Sequence, residues 1–223
     1  MNYSSSTKLP GATYLARELK AAGVNRIFCI TGAGNLPIVD ACRAEGIDFV
    51  FSHHEQAAVM EAIGWAQVSG KPGVAMVTTG GGAANALTGV LSGYLESVPI
   101  LVIAGNESSY QIDKMKKMRA YGVQGFDSVS VMRPVSKLAL RVEDGGSVGS
   151  LVRSALELCV SGRPGPVFLE FPMNLQMELV EEHGGRPNTD LGPDTGEGDS
   201  VEKKYLKTSS SLLAAEITSS KRP

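Results

Sequence analysis

Three runs in the chain are apolar at almost every position: VAMVTT (74–79), PILVIAG (99–105) and GPVFLEFP (165–172). A strand with one face in water alternates polar and apolar residues. A run without that alternation reads as a strand buried on both faces, and such strands belong to parallel sheets covered by helices on each side. Patterns of helical period lie between the runs. Residues 11–23 carry Tyr14, Leu15, Leu19 and Ala22 at helical spacing and stop at Gly23. LPIVDACRAEG (36–46), Glu55 to Ser69, GGGAANALTGVLSGYLES (80–97) and SVGSLVRSALELCVS (147–161) also read as helices. RIFCI (26–30), IDFVFS (47–52) and KLALRV (137–142) complete the strands. The alternation predicts an α/β fold: a doubly wound, mainly parallel sheet with helices on both faces. Residues 106–126 read as irregular, with a short helical pattern in IDKMKKM (112–118).

At 223 residues, 43% hydrophobic and 20% charged, the chain suits one globular domain plus a small extra piece. Its net charge of −2, with no basic stripe, argues against a nucleic-acid partner. Cys29, Cys42 and Cys159 are odd in number and sit in apolar segments, so they read as free buried thiols of a reducing compartment. MNYSSSTKLP has no signal-peptide pattern, and no apolar run approaches the ~18 residues of a membrane span. A cytoplasmic protein is expected. The main domain is expected over 1–177. Residues 178–204 are acidic and rich in Gly, Pro and Asp, which reads as a flexible linker. Residues 205–223 regain a helical pattern through Leu206, Leu212, Leu213 and Ile217 and are expected to be a disordered remnant of a following helix.

Ligands of open parallel sheets meet the carboxyl ends of the strands. TGAGN (31–35), HHEQ (53–56), TTGGG (78–82) and AGNESS (104–109) all follow predicted strands, so four loops converge on one edge. His53 and His54 do not read as a metal site. Neighbours on an extended segment point to opposite faces, and the third histidine, His183, lies in the tail. No metal site is expected in this chain. Glu55 opens a helix, where the dipole alone accounts for an acid. Its position after a strand, flanked by Phe49, Phe51, Val59 and Met60, also predicts a partly desolvated carboxylate, as acid–base work requires. The glycines of TTGGGAAN (78–85) let backbone approach a ligand at a helix N-terminus. No Lys-Ser/Thr follows, so this is not a P-loop. TGAGN is an incomplete dinucleotide fingerprint, since Leu36 and Pro37 stand where the third glycine belongs.

Taken in order, GAGN, HEQ-A, SGKPGV, TTGGG-AN, SVPILVIAG, YGVQGFD and GRPGPVFLEFP resemble the pyrimidine-binding domain of thiamine-diphosphate enzymes. The acetolactate synthase branch is the nearest, and the resemblance runs from about Gly11 to Pro172. It implies the thiamine-diphosphate pyrimidine-binding fold and gives Glu55 a role. The matching glutamate hydrogen-bonds the ring nitrogen of the cofactor's aminopyrimidine, favouring the imino tautomer that takes the thiazolium proton. Glu55 and Gln124 are the implied catalytic residues. Gly32, Ala33, Gly34, Asn35, Thr79, Gly80, Gly81 and Asn85 join Glu55 around the cofactor. His54, Gly81, Asn106 and Gln124 are implied near the substrate, with His54 in a supporting role. Gly81 replaces the proline of a Gly-Pro-Gly turn, Asn106 stands where acetolactate synthases often have Gln, and Gly125 follows Gln124 where they usually carry Glu.

In such enzymes the diphosphate and its Mg²⁺ are held by a second α/β domain, marked by Gly-Asp-Gly and a later Asn. EDGGS (143–147) and GEGDS (196–200) do not qualify, because neither follows a buried strand. The resemblance therefore implies a pyrimidine-binding subunit of a split enzyme, or a truncated piece. It would share thiamine diphosphate with a diphosphate-binding partner that carries the Mg²⁺, in a homodimer or heterotetramer. The expected chemistry is decarboxylation of a pyruvate-like 2-oxo acid with transfer of the acyl unit. Two alternatives stay open: a non-catalytic scaffold or regulatory relative, and a dinucleotide-binding α/β domain using TGAGN.

Overall fold

The computed structural model describes residues 8–114 and 118–181. Six parallel strands form the sheet: β2 (Arg26–Cys29), β3 (Asp48–Phe51), β4 (Gly73–Val77), β5 (Ile100–Asn106), β6 (Leu138–Arg141) and β7 (Val167–Pro172). Their spatial order is β3-β2-β4-β5-β7-β6. Register aligns Phe51, Cys29, Met76, Ile103, Leu169 and Leu140 in one row across the sheet. The segments that leave each strand beyond this row emerge on the same edge. Because β3 lies outside β2, the chain reverses its direction of travel between β2 and β4. That is the topological switch point of a doubly wound sheet, where a crevice opens beyond the strand ends.

Alternate strand residues feed two cores. On one face Ile27, Cys29, Val74, Met76, Leu101, Ile103, Val167 and Leu169 pack with helices α1 (Gly11–Ala21), α2 (Leu36–Ala44) and α7 (Val148–Val160). On the other, Phe28, Ala75, Val77, Val102, Ala104 and Phe168 pack with α3 (Glu55–Ser69) and α4 (Gly81–Leu95). The central strands are buried at every position, which is why their sequences show no alternation. Cys29, Cys42 and Cys159 are buried free thiols. Among the described residues no helix is long and apolar enough to cross a membrane.

Several elements differ from the sequence reading. The stretch expected to be irregular contains α5 (Ser109–Lys114), which starts before IDKMKKM; residues 115–117 of that pattern lie outside the described residues. A short helix α6 (Ser128–Met132) was not foreseen; Asp127 caps it by accepting from the Ser130 N–H at 3.1 Å. After β7 the chain continues into α8 (Met173–Met177) and then β8 (Leu179–Val180), which pairs antiparallel with β1 (Leu9–Pro10). Ordered pairing thus extends past the expected 178 boundary, because the chain start supplies a partner strand that local composition does not reveal. The rest of the expected linker, from 182, and the 205–223 segment lie outside the described residues.

Candidate functional site

The loops after β2 and β4 meet at the switch point. The Gly34 N–H donates to Thr78 Oγ1 at 3.3 Å. Asn35 is wholly buried and closes its own turn: its Oδ1 accepts from the Gly32 N–H at 2.9 Å, and its Nδ2 donates to the Ile30 carbonyl at 3.0 Å. Its carboxamide therefore shapes the turn, in which Gly32 is half-buried and Ala33 exposed. Thr79, half-buried, ends the second loop, and its carbonyl accepts from the Gly82 N–H. Gly80 then takes φ +66° and ψ −120°, a conformation open to glycine and strained for other residues, and α4 begins. Gly81 is exposed, with open space where a side chain would project.

Glu55 is the first residue of α3. His54 sits before it in extended conformation and caps the helix, its Nδ1 accepting from the Gln56 N–H at 3.2 Å. A histidine that spends Nδ1 on a cap is a supporting group, and His53 beside it is exposed. Asn85 Nδ2, on the second turn of α4, donates to Glu55 Oε2 at 3.0 Å. A Cβ placed on Gly82 would lie 3.4 Å from Glu55 Oε1. Glu55 is half-buried, with Oε1 unpartnered among the described residues and lying over the first turn of α4. Glu55 is thus partly buried as expected, but not all of the flanking apolar residues cover it. Phe51 is 49% and Met60 41% exposed, while Val59 turns into the core between the helices. β3 is an edge strand, with no strand beyond it among the described residues, and Phe51 stacks on Phe49 while staying exposed.

Gln124 reaches the same place from a different part of the chain. Residues 121–125 form a tight loop in which Tyr121 and Gly125 exchange backbone hydrogen bonds of 2.9 and 2.8 Å. Gln124 is exposed and packs against Gly80, where a Cβ would come within 2.5 Å of the Gln124 carbonyl oxygen. Asn106, only 2% exposed, donates to the Phe126 carbonyl at 3.3 Å and accepts from the Glu107 N–H at 2.8 Å. It anchors this loop from below, and both ends of its carboxamide are engaged. The structure therefore brings together Gly34 with the Thr78–Thr79 pair, Gly80 with Gln124, and Glu55 with Asn85.

The sequence reading missed the group that holds the loop's base. Glu170, fully buried on β7, receives hydrogen bonds from Ser128 Oγ and Arg141 Nε. Arg141 also reaches the Tyr121 hydroxyl at 3.5 Å and lies 3.9 Å from Asp127. Burial, followed by the Glu170 charge, pushes the Tyr121 hydroxyl up to about 12. Burial opposes charge on Arg141, but its acidic neighbours, Glu170 foremost, outweigh that and hold its proton more tightly than usual. The signal was present as a lone acid inside the apolar run VFLEFP. Its partner, on another strand, carries no local mark. No group of three or more His, Cys, Asp or Glu that could hold a metal ion occurs among the described residues.

Comparison with known proteins adds the following. The family model for the thiamine pyrophosphate enzyme N-terminal TPP binding domain matches residues 9–131. The acetolactate synthase large subunit of Lactococcus lactis subsp. lactis (strain IL1403) is 35% identical over 214 residues, covering 96% of this chain and 35% of that protein. Acetolactate synthase isozyme 3 large subunit of Escherichia coli (strain K12) is 37% identical over 171 residues, 75% of this chain and 28% of that protein. The acetolactate synthase large subunit of Haemophilus influenzae is 37% identical over 166 residues, with shares of 74% and 28%. The chain spans about a third of the length of the curated relatives it matches.

Proposed function

The chain belongs to the thiamine pyrophosphate enzymes through their N-terminal TPP binding domain, and on that premise we propose that it is the pyrimidine-binding part of an acetolactate synthase-like enzyme. The reaction is decarboxylation of a pyruvate-like 2-oxo acid with transfer of the acyl unit to an acceptor, that is, lyase and transferase chemistry. The observation that carries the reading is Glu55. One carboxylate oxygen is held by Asn85, and the other has no partner among the described residues and lies over a glycine turn at a helix N-terminus.

The residues present fit the pyrimidine end of the cofactor. Gly81, exposed with open space about it, leaves backbone approachable at the start of α4, and Glu55 offers a carboxyl oxygen over the same turn. Thiamine diphosphate, when bound, supplies the nucleophilic carbon and electron sink that loss of carbon dioxide requires. Glu55 holds and returns a proton at a ring nitrogen. Asn85 fixes the carboxylate's rotation, so that little reorganisation accompanies each transfer. Gln124, set against Gly80, faces the substrate side. Gly32 to Asn35 close the far wall. The diphosphate and its Mg²⁺ are assigned to a partner α/β unit carrying Gly-Asp-Gly and a later Asn, within a cytoplasmic homodimer or heterotetramer. That unit also completes the cover that the exposed Phe51 and Met60 lack here.

The test is Glu55→Gln in the assembly with the diphosphate-binding partner. Glutamine keeps the size of the side chain and an oxygen for Asn85, but holds no exchangeable acid. Pyruvate turnover is expected to fall by about 10²–10⁴-fold while calorimetric binding of thiamine diphosphate with Mg²⁺ persists. Turnover that survives the substitution removes Glu55 from the chemistry. Failure of the wild-type assembly to bind the cofactor refutes the assignment as a whole.

A further inference from the structure

The loop that carries Gln124 has no regular element to hold it. Three of its five residues, Gly122 to Gln124, are exposed. Its tip nevertheless has a fixed anchor. Glu107, the residue after β5, sends Oε1 to two successive backbone donors, the Val123 N–H at 3.0 Å and the Gln124 N–H at 3.2 Å. The carboxylate fits only because two glycines leave room. A Cβ on Gly122 would lie 2.5 Å from Glu107 Oε2, and one on Gly125 would lie 2.7 Å from Glu107 Cγ. Gly122 has φ +61° as well, so the turn itself asks for glycine there. Glu107 is held in turn from below, where its N–H donates to Asn106 Oδ1.

We infer that Glu107 is the positioning residue of the 121–125 loop: its carboxylate, seated between Gly122 and Gly125, fixes the backbone of Gln124 against Gly80. A side chain at 125 would meet the Tyr121 ring at 2.4 Å, the Tyr121 carbonyl oxygen at 2.6 Å and Glu107 Cγ at 2.7 Å, so the closed turn and the Glu107 side chain together require glycine directly after the glutamine. A carboxylate that accepts two adjacent backbone N–H groups makes charge-assisted bonds, and these are roughly twice as strong as neutral ones. The clamp stands on the geometry alone; what Gln124 does for a substrate rests on the functional reading above.

The experiment has two arms. In the chain itself, amide hydrogen exchange at Val123 and Gln124 is followed by NMR for wild type, Glu107→Ala and Glu107→Gln. Glu107→Ala is expected to speed exchange at both amides by about tenfold or more, while Glu107→Gln, which keeps an acceptor oxygen, restores most of the protection. Unchanged exchange in Glu107→Ala overturns the clamp. In the assembly with the diphosphate-binding partner, Glu107→Ala is expected to raise KM for pyruvate and mimic Gln124→Ala, with thiamine-diphosphate affinity unchanged and Glu107→Gln near wild type. Faster exchange with unaltered pyruvate kinetics overturns the positioning role. An inactive wild-type assembly counts against the functional reading instead, and the exchange arm still decides the clamp.

Discussion

Gly80→Ala and Gly81→Ala are adjacent, chemically identical changes for which the structure predicts opposite outcomes. At Gly80 alanine inherits φ +66° and ψ −120°, which costs about 1–3 kcal/mol in a non-glycine residue. The new methyl would also stand 2.5 Å from the Gln124 carbonyl oxygen and 2.7 Å from Gln124 Cβ. Ordinary non-bonded contact is about 3.5–4.0 Å, so the 121–125 loop must retreat by about 1 Å. Strain and overlap together give an expected loss of about 2–4 kcal/mol. At Gly81 a methyl meets nothing within 4 Å, and the residue opens α4, where alanine is preferred over glycine by up to about 1 kcal/mol. Urea denaturation followed by circular dichroism measures both. In the assembled enzyme a 1 Å shift of Gln124 is expected to lower turnover about 10²-fold in Gly80→Ala. Equal stabilities for the two variants, or a Gly80→Ala protein as stable as wild type, would refute the reasoning that the turn and the Gln124 loop are in contact and strained.

Arg141→Met leaves the fully buried Glu170 with Ser128 as its remaining partner and is expected to cost about 3–5 kcal/mol in a thermal or urea melt. Adding Glu170→Leu should recover most of that loss, and a double variant no more stable than the single one would contradict it. The alkaline limb of stability is also fixed by burial. Cys29, Cys42 and Cys159 are each pushed from 9.0 up to about 12, and Tyr121 from 10.0 up to about 12, so the folded chain keeps protons that the unfolded chain gives up. The stabilisation is fully present below pH 9 and is lost as pH rises towards 12, at up to about 1.4 kcal/mol per pH unit for each group. Lys137, lowered by its burial, opposes this as a single group. Melts from pH 8 to 10.5 should fall steadily, with all three thiols silent to a thiol reagent until unfolding. A flat profile would count against the buried assignments.

Much of this architecture was legible because the central strands are buried on both faces. Val74, Ala75, Met76 and Val77 have no polar side to show, and an unbroken apolar run is a stronger statement than a propensity. The edge that carries the candidate site followed from the same reading, since TGAGN, HHEQ, TTGGG and AGNESS each came after a predicted strand. Strand order did not. Nothing local in IDFVFS says that it lies outside RIFCI and so opens the switch point between β2 and β4. Pairings between distant segments were equally silent: Leu9 with Val180, Arg141 with Glu170, and Glu107 with the 123–124 backbone. Each joins residues that meet only through tertiary structure. Asn35 and Asn106 illustrate a different limit. Their positions were predictable, but only the hydrogen bonds reveal that both carboxamides are engaged in holding loops.

Glu55, Glu107 and Glu170 all stand at or near the carboxyl edge of the sheet, and residue type cannot rank them. What their oxygens touch does. Glu170 is sealed in the core with one oxygen on Arg141 and the other on Ser128, so any proton it accepted would break a buried pair. Glu107 commits Oε1 to two backbone donors and lies inside a loop, where it acts on the chain itself. Glu55 has one oxygen steadied by Asn85 and another with no partner among the described residues, over the first turn of α4, which begins with consecutive glycines. A group that exchanges protons with a ligand needs one fixed attachment and one open valence. With neither it would rotate freely, and with both oxygens occupied it would be inert. Glu170 fails the second condition; Glu55 and Glu107 each keep one oxygen without a partner among the described residues, and what separates them is place: Glu107 Oε2 lies against Gly122 of its own loop, whereas Glu55 Oε1 lies over the first turn of α4.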